Sequence, residues 1–202
     1  MSHPGANPRP AAFLDRDGVI NIDHGYVHRG EDFAFVPGVL EGARRLHDLG
    51  YALVVTTNQS GIGRGLYTEE DFLALTDWMR QSFSAAGAPL AGVYFCPHHP
   101  TEANPPYCEE CECRKPRPGM LLHAERDLGL WLQGSAMFGD RPSDLQAARA
   151  AGVSARFLVG TDGVARPAVL DDRTLATAIY PSLLDAVRGR ELAAFAQSKA
   201  QP

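Results

Sequence analysis

Basic charge is scarce in this 202-residue chain: 19 Lys and Arg face 24 Asp and Glu, for a formal net charge of -5. A broad nucleic-acid footprint needs a basic face, so the balance argues against that partner; it leaves room for a small cationic pocket that takes an anionic substrate. Long apolar runs are missing, and none reaches the length needed to span a bilayer. The stretch Met1 to Pro10 is small, polar and Pro-rich, without the basic start and apolar centre of a secretion signal. We expect it to be a loose tail on a cytoplasmic protein. Cysteine is also sparse, and Cys96, Cys108, Cys111 and Cys113 share one short window. That clustering favours a metal over a spread disulfide framework. Only 21% of residues are charged and 45% are hydrophobic, which excludes a disordered chain and suffices for one well-cored domain.

Short apolar runs alternate with helix-like stretches, the signature of an α/β fold with a mainly parallel sheet. Strands are predicted at Ala11–Leu14, Tyr51–Thr56, Val93–Phe95, Ala136–Phe138, Ala155–Val159 and Ala176–Tyr180. Helices are predicted from Pro37 to Leu49, from a capping box at Thr68 and Asp71, from Pro118 to Leu128, from Pro142 to Ala150 and after Pro181. One domain over 11–196 is expected, with an inserted Cys/His loop at 96–113 and flexible ends at 1–10 and 197–202. In open α/β sheets ligands bind beyond the carboxyl ends of strands, where the topology switches. Four polar groups are expected there: Asp15 with Asp17, Thr57 with Asn58, Arg114 with Lys115, and Asp140. The third group follows the inserted loop, which leaves its placement the least constrained.

Strand alternation would put Asp15 and Asp17 on one face, roughly 6–7 Å apart, with Arg16 on the other. Two carboxylates at such a spacing suit phosphate-ester cleavage. Asp15 would attack phosphorus, and Asp17 would protonate the leaving oxygen and then activate water. Gly18 would let the chain turn away. Two acids repel a phosphate dianion, so cations are required. Asp140 with Asp15 can hold Mg²⁺ through oxygen, Asp144 one turn later can support it, and Lys115 can neutralise phosphoryl oxygens. The Thr57 hydroxyl and the Asn58 amide can hydrogen-bond them.

The Cys/His window offers six ligands, Cys96, His98, His99, Cys108, Cys111 and Cys113, of which tetrahedral Zn²⁺ needs four. Spacing alone does not choose among them. A closed site would be structural and would hold Arg114 and Lys115 toward the pocket. Glu109, Glu110 and Glu112 in the same loop argue against a nucleic-acid zinc finger. The glycines of Gly61–Gly65 are expected to give a flexible rim.

Asp-x-Asp-Gly after one strand, Thr57-Asn58 after a second, a later Lys, and Gly139-Asp140-x-x-x-Asp144 after another together resemble the four motifs of the haloacid dehalogenase superfamily over about residues 11 to 160. The resemblance implies a Rossmann-like, doubly wound sheet with a small zinc-binding loop and no large cap domain. Within the superfamily, Phe-Leu-Asp-Arg-Asp-Gly, Asp23-His24-Gly25-Tyr26, Thr57-Asn58-Gln59-Ser60-Gly61, Cys96-Pro97-His98-His99-Pro100 and Cys113-Arg114-Lys115-Pro116 resemble the heptose bisphosphate phosphatases. That family implies loss of the C7 phosphate from a heptose 1,7-bisphosphate on the route to nucleotide-activated heptose for surface glycans. It implies Asp15, Asp17, Thr57 and Lys115 as catalytic residues. Mg²⁺ would be held by Asp15, Asp17 (through its backbone carbonyl) and Asp140, and structural Zn²⁺ by Cys96, His98, Cys111 and Cys113.

Substrate contacts implied by the same family are Asp23, His24, Gly25, Tyr26, Thr57, Asn58, Gln59, Ser60, Lys115 and Arg114, with Arg114 on the second phosphate. A guanidinium fork suits that task. Arg141 departs from the family's usual Lys, which puts its substrate contact in question. The expected partner is a small sugar bisphosphate, bound by a monomer with no nucleic acid and no membrane. The histidinol-phosphate phosphatases share the acids and a similar zinc loop and form the second reading, but their aminated substrate is poorly matched by Arg114 and Arg141.

Overall fold

The computed structural model describes residues 8–160 and 174–198. The predicted alternation resolves into six strands: β1 (Ala11–Leu14), β2 (Ala52–Asn58), β3 (Leu90–Cys96), β4 (Ala136–Gly139), β5 (Ala155–Val159) and β6 (Ala178–Tyr180). All pair in parallel, in the order β3-β2-β1-β4-β5-β6. β1 is buried along its whole length. A central parallel strand is covered on both faces, so Ala-Ala-Phe-Leu has no polar position to spare.

Helices α1 (Val39–Asp48), α2 (Ser60–Gly63), α3 (Glu69–Ala85), α4 (Gly119–Leu128), α5 (Pro142–Ala150), α6 (Leu183–Arg188) and α7 (Arg190–Ser198) flank the sheet. Alternate β1 residues feed opposite cores, as the two-residue period of a strand dictates. Ala12 and Leu14 join Val39, Leu46, Met79, Phe83 and Leu183. Ala11 and Phe13 join Leu121, Ala124, Leu145 and Ala148. The predicted capping box starts α3: Asp71 N donates to Thr68 Oγ1 at 3.1 Å, and Thr68 N donates to Asp71 Oδ2 at 2.9 Å.

Several boundaries move, each for a local reason. The helix expected from Pro37 starts at Val39, because Gly38 takes a left-handed conformation at the N-cap. β2 and β3 run further than predicted, pairing Thr57 with Phe95 and Asn58 with Cys96. Gly61, Ile62 and Gly63 are buried in α2, so this stretch is packed structure and not the flexible rim expected from its glycines. α7 extends to Ser198 and takes in the first two residues of the expected C-terminal tail. Arg9, at the inner end of the expected N-terminal tail, is tied down by donating to the carbonyls of Gly50 and Tyr51 at 2.7 and 2.8 Å. The outer parts of both tails lie outside the described residues.

The chain runs from β1 outward to β2 and β3, then returns to place β4 on the other side of β1. The carboxyl ends of β1 and β4 therefore flank the switch point of the sheet, where a crevice must open. The segment 97–118, between β3 and α4, carries neither helix nor strand.

Candidate active site

Asp15 is the first residue beyond β1, and its N–H continues the ladder by donating to the Phe138 carbonyl at 3.0 Å. This bond fixes the acid at the switch point. Gly18 follows with φ +85, and a Cβ there would lie 2.5 Å from Asp140 Oδ2. The turn thus needs glycine both for its backbone conformation and for the close approach of Asp140. The carboxylate oxygens of Asp15, Asp140 and Asp144 lie within 4.8 Å of one another.

Lys115 reaches this cluster from 100 residues away: Nζ donates to Asp15 Oδ1 at 2.8 Å and to the Thr56 carbonyl at 2.7 Å, and pairs with Asp144 Oδ1 at 2.7 Å. All three ammonium hydrogens are committed. The backbone of Lys115 is clasped from β2: Asn58 Nδ2 donates to the Lys115 carbonyl, and Asn58 Oδ1 accepts from the Lys115 N–H, both at 3.1 Å. The Asn58 side chain makes this clasp, which places the lysine despite the loop before it. Burial alone would lower the Lys115 ammonium, but Asp144 and Asp15 outweigh it and hold it above its usual range. Burial pushes the Asp15 carboxyl well above the usual carboxylate range; Lys115 opposes the push, and Asp144, Asp140 and Asp17 add to it. Asp144 also accepts the Arg141 N–H at 3.0 Å. With one oxygen on Lys115 and the other on that N–H, it serves to orient the lysine.

Asp17 departs from the expected picture in one respect. The strand stops at Leu14, so strict alternation does not carry Arg16 to the far side. Arg16 is 2% exposed, lies 5.7 Å from the Phe72 ring centroid, and turns its guanidinium onto Asp17. Its Nη2 is 2.9 Å from both carboxylate oxygens and also donates to the Val27 carbonyl at 2.7 Å. Asn21 Nδ2 donates to Asp17 Oδ1 at 3.0 Å, and Gln59 Nε2 to Oδ2 at 2.9 Å. A bidentate guanidinium and two amides hold this carboxylate in one pose.

The cleft beyond these groups has a volume of about 540 Å³. Asp15, Asp17, Thr57, Lys115 and Asp144 form its floor; Asp23, Gly25, Tyr26, Arg114 and Arg141 also line it. Asn58, Gln59 and Ser60 complete the predicted set found on the wall. His24 is the exception: it lines a neighbouring concavity with His28 and Glu31, since the turn at Gly25 and Tyr26 sends it outward. Arg141 pairs with Asp23 at 3.2 Å while 66% exposed, so the pair bridges the rim. Tyr67 and Ser143 were not predicted yet also line the cleft, and Arg64 lines it from the stretch expected as its rim. Arg64 pairs with Glu102 and lies 5.8 Å from the Tyr26 ring centroid. No periodicity or motif marks such residues; only the packing of α2 and its following turn brings them in.

Beside the cleft, Cys96, His98, Cys111 and Cys113 converge, with all four ligand atoms within 4.8 Å of one another. Cys113 Sγ lies 3.0 Å from Cys96 Sγ and 3.2 Å from Cys111 Sγ, and His98 Nδ1 lies 3.4 Å from Cys113. The two spare candidates are elsewhere. Cys108 is exposed against the Pro100 carbonyl, and His99 Nδ1 accepts backbone N–H groups of Thr101 and Glu102. Three soft thiols and one imidazole are a donor set that tetrahedral zinc would fit. His98 Nε2 faces Glu109 at 3.2 Å, the kind of carboxylate contact that orients a ligating imidazole. The neighbouring Cys96 sulfur, ahead of Cys111 and His98, draws the Cys113 thiol down to about 5. Arg114 donates to the His98 carbonyl at 3.0 Å, coupling the loop directly to the cleft.

The carboxylate cluster fits a hard dication equally well. Asp15, Asp140 and Asp144 set three carboxyl groups against the single ammonium of Lys115, and their donor atoms are all oxygen.

Comparison with known proteins agrees with this geometry. A family model described as "HAD-hyrolase-like" matches residues 112–186, and one described as "Polynucleotide kinase 3 phosphatase" matches residues 12–138. The chain is 48% identical over 176 residues to a D-glycero-beta-D-manno-heptose-1,7-bisphosphate 7-phosphatase of Yersinia pestis, covering 87% of this chain and 92% of the relative. It is 51% identical over 152 residues to the Escherichia coli (strain K12) protein of the same name, covering 75% and 80%. A crystal structure of D,D-heptose 1,7-bisphosphate phosphatase from B. bronchiseptica, complexed with magnesium and phosphate, superposes with a TM-score of 0.75 at 30% identity, covering 92% of this chain and 99% of that one. Among the described residues, no helix is long and apolar enough to cross a membrane.

Proposed function

The chain belongs to the D-glycero-beta-D-manno-heptose-1,7-bisphosphate 7-phosphatases of the haloacid dehalogenase superfamily, and from that premise we propose how its residues divide the work on a heptose bisphosphate. It is a phosphoric monoester hydrolase, and its substrate is D-glycero-beta-D-manno-heptose 1,7-bisphosphate, which loses the C7 phosphate. The histidinol-phosphate reading is set aside, because the relatives are heptose bisphosphate phosphatases. In our reading the enzyme acts as a cytoplasmic monomer on this small sugar, within the supply of nucleotide-activated heptose, and not on nucleic acid.

The observation that carries the assignment of roles is the contact of Lys115 with Asp15, made at the switch point of the sheet. Asp15 attacks phosphorus, and the P–O bond to C7 breaks as the Asp15–phosphorus bond forms. Lys115 neutralises charge on the phosphoryl group, and the Thr57 hydroxyl donates to a phosphoryl oxygen. Asp17, posed by Arg16, Asn21 and Gln59, gives its proton to the departing sugar oxygen. It then takes a proton from the water that frees phosphate from Asp15. Asp15, Asp140 and the backbone carbonyl of Asp17 would hold Mg²⁺, which supplies charge neutralisation at the phosphoryl group. Arg114 and Arg141 take the phosphate at C1, with Asp23, Gly25, Tyr26 and Ser60 along the sugar. Cys96, His98, Cys111 and Cys113 would hold structural Zn²⁺ and so fix Arg114.

A phosphate-release assay on heptose 1,7-bisphosphate and on histidinol phosphate, with phosphorus NMR to identify the position lost, tests this reading. Turnover of the first with loss at C7 is expected; inactivity on both would end the assignment.

A further inference from the structure

Gln59 lies at the end of β2 and is 2% exposed, and its side-chain amide spans two functional groups. Its Nε2 donates to Thr57 Oγ1 at 2.8 Å and to Asp17 Oδ2 at 2.9 Å, which uses both amide hydrogens. Its Oε1 accepts the Tyr67 hydroxyl at 2.6 Å. The direction of these bonds matters. Because Thr57 Oγ1 accepts from Gln59, its own proton is left to donate to a phosphoryl oxygen. Rotated by half a turn, the amide would present Oε1 to Thr57 and to Asp17. Thr57 would then spend its proton on the amide, and Asp17 would face another acceptor at hydrogen-bond distance.

Tyr67 guards against that rotation. Its ring stacks on His28, with centroids 4.9 Å apart and planes 6° from parallel. The ring also covers Gly61, where a Cβ would collide with it. Burial is the largest cause that pushes the phenol up to about 12, so it remains a donor throughout the neutral range. Phenol to amide to hydroxyl and carboxylate forms one chain in which each member fixes the polarity of the next.

We propose that Tyr67 is a positioning residue of the phosphatase reaction: through Gln59 it sets the direction of the hydrogen bonds at Thr57 and Asp17, so that Thr57 donates to the phosphoryl group. The proposal rests on the roles assigned to Thr57 and Asp17 above, but not on which sugar is the substrate.

The test is a double-mutant cycle of Tyr67→Phe and Gln59→Leu on the full chain. Steady-state kinetics would be measured with both heptose 1,7-bisphosphate and p-nitrophenyl phosphate, and each variant's thermal midpoint recorded. Tyr67→Phe should lower kcat about tenfold on either substrate, a modest part of what acid–base and phosphoryl contacts supply, with KM within about twofold. Gln59→Leu should lower kcat at least as much. In the double variant the Tyr67 change should cost nothing further, because its effect passes through the amide. Losses that multiply in the double variant would overturn the proposal. So would an effect confined to KM, which would make Tyr67 a substrate contact, or wild-type kcat in Gln59→Leu. Inactivity of the wild type on the heptose alone, with the cycle intact on p-nitrophenyl phosphate, would refute the substrate and leave the positioning role standing.

Discussion

Two clusters of side chains, one of carboxylates with a lysine and one of thiols with an imidazole, stand side by side in this molecule and are built in opposite ways. The Asp15–Lys115–Asp144 cluster draws on the ends of β1 and β4, the start of α5 and a residue clasped to β2, so the folded sheet assembles it. The Cys/His cluster draws on the end of β3 and an irregular loop, with all four ligands inside residues 96–113. The first is held by its surroundings and must put up with its own charge. The second holds its surroundings, because a loop without regular hydrogen bonding gains order from the groups that close it. Losing a member of the first should therefore change chemistry and core stability. Losing a member of the second should change loop order.

Asp15→Asn gives the largest expected effect. Phosphate release should fall by on the order of 10³-fold or more, since the nucleophile is gone, while calorimetry still detects substrate binding. Turnover near wild type would displace Asp15 from its role. Lys115→Met comes next. It leaves the carboxylates of Asp15, Asp140 and Asp144 without their buried cation, at a cost of about 3–5 kcal/mol in metal-free protein. A denaturant titration measures this, and added Mg²⁺ should recover part of it. A metal-free variant as stable as wild type would show that the sheet does not depend on this ion pair.

Removing zinc, by chelation or by Cys113→Ser, sharpens the contrast between the clusters. Hydrogen exchange should quicken in residues 97–114 and remain slow in β1, β2 and β4. Binding should weaken more for a sugar bisphosphate than for a monophosphate, because Arg114 hangs on the His98 carbonyl whereas Lys115 is kept by Asn58. Loss of protection throughout the sheet would erase the distinction, and absence of stoichiometric zinc in the native protein would remove its premise. The smallest effect is at the rim. Arg141→Ala breaks an exposed pair with Asp23 and should change stability by under about 1 kcal/mol, while raising KM for the bisphosphate.

Much of this was legible in the chain. β1 and β5 fall where their apolar runs predict, and the Thr68–Asp71 box starts its helix, because such signals depend on neighbours a few residues away. The placing of Asp15, Thr57 and Asp140 at the carboxyl ends of β1, β2 and β4 was legible from the apolar runs that lead into them. Arg16 was misplaced by extending strand alternation beyond the end of the strand. The Asn58 clasp and the Tyr67–Gln59 contact had no signal, since an amide's partners are set by which backbone or hydroxyl packs against it. Gly61 and Gly63 suggested flexibility because glycine is permissive in isolation; in the fold, the ring of Tyr67 fills the space a side chain at Gly61 would occupy.

The sequence by itself determined the order of strands and helices and the chemical inventory: a pair of acids in Asp-x-Asp-Gly, a hydroxyl, a lysine, and four thiols with imidazoles nearby. Local sterics and periodicity suffice for those. Tertiary structure decided who meets whom. Parallel pairing of β1 with β2 and β4 sets one register for the three strand ends, and that register brings Lys115 to Asp15 across 100 residues. Packing of the segment after β3 brings Cys111, and not Cys108, to Cys96, and the turn after β1 sets the buried Arg16 on Asp17. Contacts between distant residues are fixed by packing many apolar side chains at once, and no short stretch of sequence contains that sum.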